Sequence, residues 1–412
     1  MNCSQFQPIA GGVVAPRGFV AGGTWCDIKG TGTPSKEDLA ILLSEFPCTS
    51  AAVFTTNRVC AAPVHLSRLH LQNSVGRAVV ANSGNANACT GAQGMDDARR
   101  MAQKVAAVFQ VREQEVFVCS TGLIGIPLPI ERIEAGIERL KGELSREDGS
   151  SRASRAIMTS DKKPKETAVE FSVGGTPLRI GGIAKGAGMI CPQMATMLCF
   201  ITTDATVEKE HLQRALQLAV DQSFNCIIVD GDMSTNDTVI ALANASQNAP
   251  KLLPETPEFT AFQEALNQVC LQLALMIVGD GEGVTKVIEV AVINAASEED
   301  ARMAGRSTAS SQLVKCSWFG ADPNWSRIMD AIGYSGAVVE EGKVRIFYDD
   351  LLVAEHGRGA QTSQDQQRAI EEIAARDRFR VTIDLGLGNA SHTTYGTDLS
   401  PDYVTYNAMK YS

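Results

Sequence analysis

The chain has 412 residues, 44% hydrophobic and 20% charged, with a formal net charge of −10 and a pI near 5.2. That length exceeds what one hydrophobic core normally serves, so two or more packed units are expected. The acidic balance disfavours a phosphate-neutralising surface, which argues against a nucleic-acid partner and for a small-molecule substrate. Eleven cysteines without a C-x-x-C pair suit free thiols in a reducing compartment. The first residues, "MNCSQFQPIAGGVVAPRGF", lack the basic and apolar regions of a signal peptide, and no run approaches the ~18 apolar residues of a membrane span. A cytoplasmic protein without a membrane partner is the expectation.

In chain order, "AAVFT" from Ala51 reads as a strand, "MDDARRMAQKVAAVF" from Met95 as an amphipathic helix, and "EVFVCS" from Glu115 as a second strand. Gly142 to Lys165, "GELSREDGSSRASRAIMTSDKKPK", exchanges apolar periodicity for charge, serine and glycine, and reads as a linker or surface loop. A helix is expected in "VEKEHLQRALQLAVDQ" and a strand in "NCIIVDG" from Asn225. In "TPEFTAFQEALNQVCLQLALMIV", Thr256 can cap and Pro257 suits the first turn, while Phe259, Phe262, Ala265, Leu266, Val269, Leu273 and Ile277 share a face. "VIEVAVIN", "KVRIFY" and "FRVTIDL" read as strands, and "QDQQRAIEEIAARD" as a helix. Strands and helices mixed in this way imply an α/β or α+β fold, with layered sheets and helices.

Most motif searches fail. The five histidines show no H-E-x-x-H spacing, no P-loop is present, and no metal is expected. "DGDMSTND", Asp230 to Asp237, has Thr235 where a calcium loop needs its turn glycine and Ala241 where it needs its bidentate glutamate, so a strand-ending turn is the better reading. "GDGEGVTK", Gly279 to Lys286, follows a helix rather than a strand, which weakens a dinucleotide fingerprint and leaves Glu282 on a tight turn, solvated or presented to a pocket. No G-x-S-x-G elbow supports a serine triad.

The stretch "KGAGMICPQMATMLCFITTDA", Lys185 to Ala205, admits another chemistry. At Ala195-Thr196 the threonine hydroxyl stands next to the preceding carbonyl. An N-to-O acyl shift followed by hydrolysis would cut the chain there. The new N-terminal threonine would join a nucleophile to an α-amine whose ordinary pKa of roughly 7.7–8.0 suits a local base. The plainer reading is that these threonines cap, turn or pack.

Taken together, the segments "APRGF", "AAVFTTNRVCAAPV", "ANSGNANACTG", "STGLIG", "KGAGMICPQMATMLCFITTDA", "SFNCIIVDGDMSTNDTV", "GDGEGVTK", "FGADPNWSRIMDAIGYSG" and "GTDLSPDYVTYNAMKYS" resemble the glutamate N-acetyltransferase / ornithine acetyltransferase family of arginine biosynthesis. Their order along nearly the whole chain carries the resemblance. It implies a self-processing N-terminal-threonine acyltransferase architecture with a smaller C-terminal domain. It also implies self-cleavage between Ala195 and Thr196, giving an α chain of 1–195 and a β chain of 196–412, with Thr196 the nucleophile. Thr121 and Gly122 would form the oxyanion hole, and Thr159, Lys185, Thr196, Glu282, Asn407 and Ser412 would contact substrate.

The implied reaction is ping-pong transfer of acetyl from N-acetylornithine to glutamate, without a cofactor. Acetyl-CoA is a further candidate donor, and a heterotetramer of two α and two β chains is the implied assembly. Cys191, Gln193, Cys199 and Ser326 depart from the family's pattern, with Cys191 a rival nucleophile or a small apolar filler and Ser326 able to alter a turn. A self-cleaving aminopeptidase or amidohydrolase using the same threonine, and a binding protein in which Thr196 is structural, are the alternatives.

Overall fold

The computed structural model describes residues 6–32, 34, 36–73, 75–191, 197–247 and 249–409. They divide into two compact units, and the mixed α/β architecture expected from the sequence is present in both. The first unit comprises 1–186, 193–225 and 232–277, and the second 187–192, 226–231 and 278–412, so the chain passes from one to the other several times. The boundary at 195/196 expected from self-cleavage lies outside the described residues.

The first unit is built on strands β1 (Gln7–Ile9), β2 (Phe19–Thr24), β3 (Leu39–Phe54), β4 (Val75–Asn85), β5 (Val116–Leu123), β6 (Lys165–Val173), β7 (Thr176–Lys185), β8 (Leu198–Thr203) and β9 (Thr238–Ala243). Their order is β1-β6-β7-β8-β9-β3-β4-β5, with β2 paired to β3. The helices are α1 (Ala62–Leu71), α2 (Gly91–Phe109), α3 (Ile130–Leu140), α4 (Gly149–Ala156), α5 (Lys209–Asp221) and α6 (Pro257–Val278).

Alternation along the strands explains why both sheet faces are covered. Leu39, Ile41, Ala78, Val80, Val116 and Val118 join Met101 and Val105 of α2 and Ile133 and Ile137 of α3 in one core. Their alternate neighbours Ala40, Leu42, Val79, Ala81, Phe117 and Cys119 join Ala153 and Ala156 of α4 in another. A register shift between Leu43 and Cys48 divides β3, whose first half pairs with β2 and whose second half pairs with β9.

The expected linker therefore contains α4, which is a correction. Its buried residues are Gly149, Ser150, Ala153, Ser154 and Ala156. A Cβ added at Gly149 would meet the Ala21 carbonyl oxygen at 2.1 Å, so the helix lies directly on β2. Helix α6 forms as expected, with the Thr256 hydroxyl accepting from the Phe259 N–H at 3.2 Å. It is the one helix among the described residues long and apolar enough to cross a membrane. Phe262, Ala265, Leu266, Val269, Leu273 and Ile277 are nevertheless buried in the fold, while Phe259 is half-buried.

The second unit contains β10 (Val287–Ala295), β11 (Arg345–Tyr348), β12 (Leu351–Glu355), β13 (Arg358–Gly359), β14 (Arg378–Asp384) and β15 (Ala390–Thr397) in the order β13-β12-β11-β14-β10-β15. Strands β10 and β14 are parallel, and the other pairs are antiparallel. Its helices are α7 (Glu298–Ser310), α8 (Gln312–Phe319), α9 (Trp325–Gly333), α10 (Gln364–Ala375) and α11 (Pro401–Asn407). Ile288, Val290, Val292, Val381 and Ile383 form a core with Trp318, Ile332 and Ile373. Ser326 falls in the first turn of α9, its hydroxyl donating to the capping Asn324 at 2.7 Å. "NCIIVDG" is not a strand. Its residues pass from the first unit into the second between 225 and 226, and only Ile227 bridges a neighbour, Tyr395.

Candidate active site

In the first unit, "ANSGNANACTG" and "STGLIG" become the adjacent, parallel ends of β4 and β5. Gly122 has φ +133, and a Cβ there would lie 2.3 Å from the Gly84 carbonyl carbon and 2.5 Å from the Asn85 nitrogen. Only glycine tolerates both the dihedral and the approach. Buried polar groups pin these ends. The Ser120 hydroxyl donates to Asn82 Oδ1 at 2.6 Å, Asn82 Nδ2 to the Asn85 carbonyl at 2.8 Å, and Asn236 Nδ2 to the Ala86 and Ser120 carbonyls at 2.6 and 2.8 Å.

Lys185 ends β7 in the same unit and is buried. Its ammonium donates to the Thr159 hydroxyl at 2.6 Å and to the Thr121 hydroxyl at 3.3 Å. Thus Thr121, Thr159 and Lys185, singled out in the sequence, converge here. Across the ladder Lys185 faces Leu198, the first residue of β8. Met197 is clamped on both sides, its N–H donating to Asp237 Oδ1 at 2.9 Å and its carbonyl accepting from the Thr238 N–H at 3.1 Å. Ala195, Thr196 and Ser412 lie outside the described residues.

Sequence reasoning missed Asp161 and Lys165, which hide in the charged run "SDKKPK". The Lys165 ammonium donates to Asp161 Oδ1 at 2.7 Å, and that oxygen also accepts from the Gly186 N–H at 2.7 Å. Asp161 Oδ2 accepts from the Thr159 N–H at 2.9 Å and stands 3.9 Å from the Lys185 ammonium. Burial alone would push the Asp161 carboxyl up, but the charges of Lys185 and Lys165 and the hydrogen bonds from Lys165 and Gly186 outweigh it and hold the group well below the usual carboxylate range. Lys36 adds a cation on the outer side of this turn, donating to the Met158 and Thr159 carbonyls at 2.7 and 3.3 Å.

Asp237, also missed, is fully buried, and its Oδ1 accepts from the Met197 N–H. Burial raises its pKa well above the ordinary value, against the Met197 N–H and the charge of Lys185. A carboxyl held protonated by the fold but ionised in the unfolded chain above about pH 3.9 costs stability as pH rises past that value. Asp237→Asn should therefore gain melting temperature relative to the parent on going from pH 4 to pH 8. An equal difference at both pH values in thermal melts would refute this.

In the second unit, Glu282 and Asn407 come together, the Asn407 amide donating to Glu282 Oε2 at 3.0 Å. The Glu282 N–H donates to the Ala187 carbonyl at 2.9 Å, and a Cβ on Gly188 would meet the Glu282 carboxylate at 2.6 Å. Asp230 accepts from the Met189 and Ile190 N–H groups at 2.7 and 2.9 Å, so the acidic segment of "DGDMSTND" serves as a backbone clamp. Among the described residues no group of three or more His, Cys, Asp or Glu side chains could hold a metal. Cys191 is buried beside Arg306, whose guanidinium donates to its sulfur at 3.4 Å, and burial pushes the Cys199 thiol far up. Cys199 thus lacks the environment of a reactive thiol, and Cys191, though beside a guanidinium, is buried.

The model of the ArgJ family matches residues 20–412. The chain belongs to that family. Among its relatives, the "Arginine biosynthesis bifunctional protein ArgJ" of Symbiobacterium thermophilum is 47% identical over 97% of this chain and 98% of its own. The "Glutamate N-acetyltransferase" of Methanocaldococcus jannaschii is 46% identical over 97% and 98%. A solved ArgJ from Bacillus halodurans is 39% identical, covering 51% of this chain and 97% of that one with a TM-score of 0.49. A Mycobacterium tuberculosis ornithine acetyltransferase, solved with ornithine, is also 39% identical and covers 45% of this chain and 98% of that one, with a TM-score of 0.42. Within the ArgJ family, both the bifunctional and the glutamate N-acetyltransferase names thus occur at similar distance from this chain.

Proposed function

We propose that this ArgJ-family chain is an acetyltransferase that moves acetyl from N-acetylornithine to glutamate through an acetyl ester on Thr196. The observation that carries the reading is the convergence on Lys185, which holds the Thr121 and Thr159 hydroxyls while facing the strand that begins two residues after Thr196.

The Thr196 hydroxyl attacks the acetyl carbonyl carbon and gives its proton to the threonine's own α-amine, exposed by cleavage after Ala195. The Lys185 ammonium donates to Thr121 Oγ1, which leaves the Thr121 hydroxyl proton to be aimed, with the Gly122 N–H, at the oxyanion. The C–N bond breaks, ornithine leaves with the returned proton, and glutamate's amine attacks the ester to form N-acetylglutamate. Lys185 and Thr159 recognise the carboxylate side of the amino acid, Glu282 its ammonium, and Asn407 and Ser412 add neutral hydrogen bonds. An amide is exchanged for an amide, so no cofactor is consumed. Acetyl-CoA serves as a second donor, as the name "bifunctional" of several relatives suggests. The two fragments remain together, pair into a heterotetramer and work in the cytoplasm.

Sequencing the N-termini of the purified protein tests maturation, and two fragments, one beginning at Thr196, are expected to co-purify. Assays with N-acetylornithine and with acetyl-CoA as separate donors test the chemistry. An intact chain that transfers acetyl would sink the threonine mechanism, and fragments that transfer from neither donor would sink the activity.

A further inference from the structure

Two lysines are buried side by side in the sheet of the first unit. Lys165 opens β6 opposite Ala184, and Lys185 closes β7 one residue further on. Their side chains are 2% and 3% exposed, and the Asp161 carboxylate between them has no exposed area. That carboxylate sits at hydrogen-bond distance from one ammonium, 2.7 Å to Lys165, and beyond it from the other, 3.9 Å to Lys185. The oxygen that stands 3.9 Å from Lys185, Oδ2, accepts from the Thr159 N–H.

One carboxylate is set between two ammonium groups, and both draw on its charge. Asp161 is therefore both the neighbour of Lys185 and the rival of any carboxylate that Lys185 would bind. Lys165 stands where it weakens that rivalry. We propose that Lys165 sets the strength with which Lys185 holds a substrate carboxylate, by drawing the charge of Asp161 to itself. Lys165 touches no substrate and is a positioning residue. The inference rests on the reading of Lys185 as a substrate contact in an amino-acid acetyltransferase.

Without the Lys165 charge, Asp161, still held by the Thr159 and Gly186 N–H groups, turns its charge toward Lys185 and competes with the ligand. The test is calorimetric titration of the purified protein with ornithine and with ornithine amide, whose carboxamide carries no charge, beside the transfer assay. Lys165→Met should bind ornithine about tenfold more weakly, bind the amide as the parent does, and melt no lower, since the pair left behind is neutral. Lys165→Arg should bind ornithine as the parent does. Lys165→Met combined with Asp161→Asn removes the rival carboxylate and should recover the ornithine affinity.

Unchanged ornithine affinity in Lys165→Met, an equal loss for the amide, or a failure of that variant to fold would overturn the proposal. So would a parent protein that binds ornithine and its amide alike. If the double variant does not fold, Lys165→Met and Lys165→Arg decide the matter between them. A parent that discriminates ornithine from the amide but transfers no acetyl group would overturn the proposed function and leave the role of Lys165 standing.

Discussion

Thr196→Ala is expected to yield a single uncut chain of 43.9 kDa with transfer reduced on the order of 10⁴-fold or more. In the proposed mechanism both losses have one origin: the hydroxyl that would attack the Ala195 carbonyl in maturation is the one that would later attack the acetyl group, so alanine removes the cut and the nucleophile together. Thr196→Ser separates this from a folding defect, since it keeps a hydroxyl and should still cut and transfer, though more slowly. Intact-mass analysis and a transfer assay on the same preparation give the answer. Transfer by the alanine variant at a tenth of the parental rate would remove Thr196 from the mechanism.

The second large effect is expected at the end of β5. Gly122→Ala places a methyl 2.3 Å from the Gly84 carbonyl carbon and imposes φ +133 on a residue with a Cβ. The backbone must move, and the Gly122 N–H moves with it. Loss of one donor aimed at developing negative charge costs about 3 kcal/mol, or roughly 10²–10³ in kcat, with little change in KM. Thr121→Val should bring a loss of similar size in kcat without the steric conflict, because it deletes a hydroxyl and keeps the shape. Steady-state kinetics of the two variants check this, and a Thr121→Val protein with parental kcat would exclude that hydroxyl from the oxyanion site.

How much of this was legible in the sequence depends on how each element earns its place. Helices α2, α5, α6 and α10 bury long apolar side chains at helical spacing, and periodicity finds them. Helix α4 buries glycine, serine and alanine against a glycine-bearing strand, so a reading based on hydrophobicity sees only a polar linker. "NCIIVDG" has the composition of a strand, but its apolar residues are buried where the chain changes units, without a ladder.

The site divides in the same way. Thr121, Gly122, Thr159 and Lys185 were reached through a resemblance of motifs, and Glu282 and Asn407 likewise. Asp161 and Lys165 were not, because a buried ion pair four residues apart is written in the same letters as a solvated charge run. Asp237 was taken for part of a turn, and its contact with the Met197 N–H spans 40 residues, a distance no local pattern reports.

The position of β8 has a consequence for the molecularity of unfolding. It lies between β7, which precedes the proposed cut, and β9, which follows it and pairs in turn with β3 from before the cut. If the proposed cut is made, one continuous sheet is shared by two covalently separate polypeptides. The uncut chain would then fold in a first-order process, whereas the cut protein would come apart into two species whose reunion is second order in concentration. Maturation would therefore erase the route by which the fold was first reached, and the midpoint of unfolding would depend on protein concentration only after the cut.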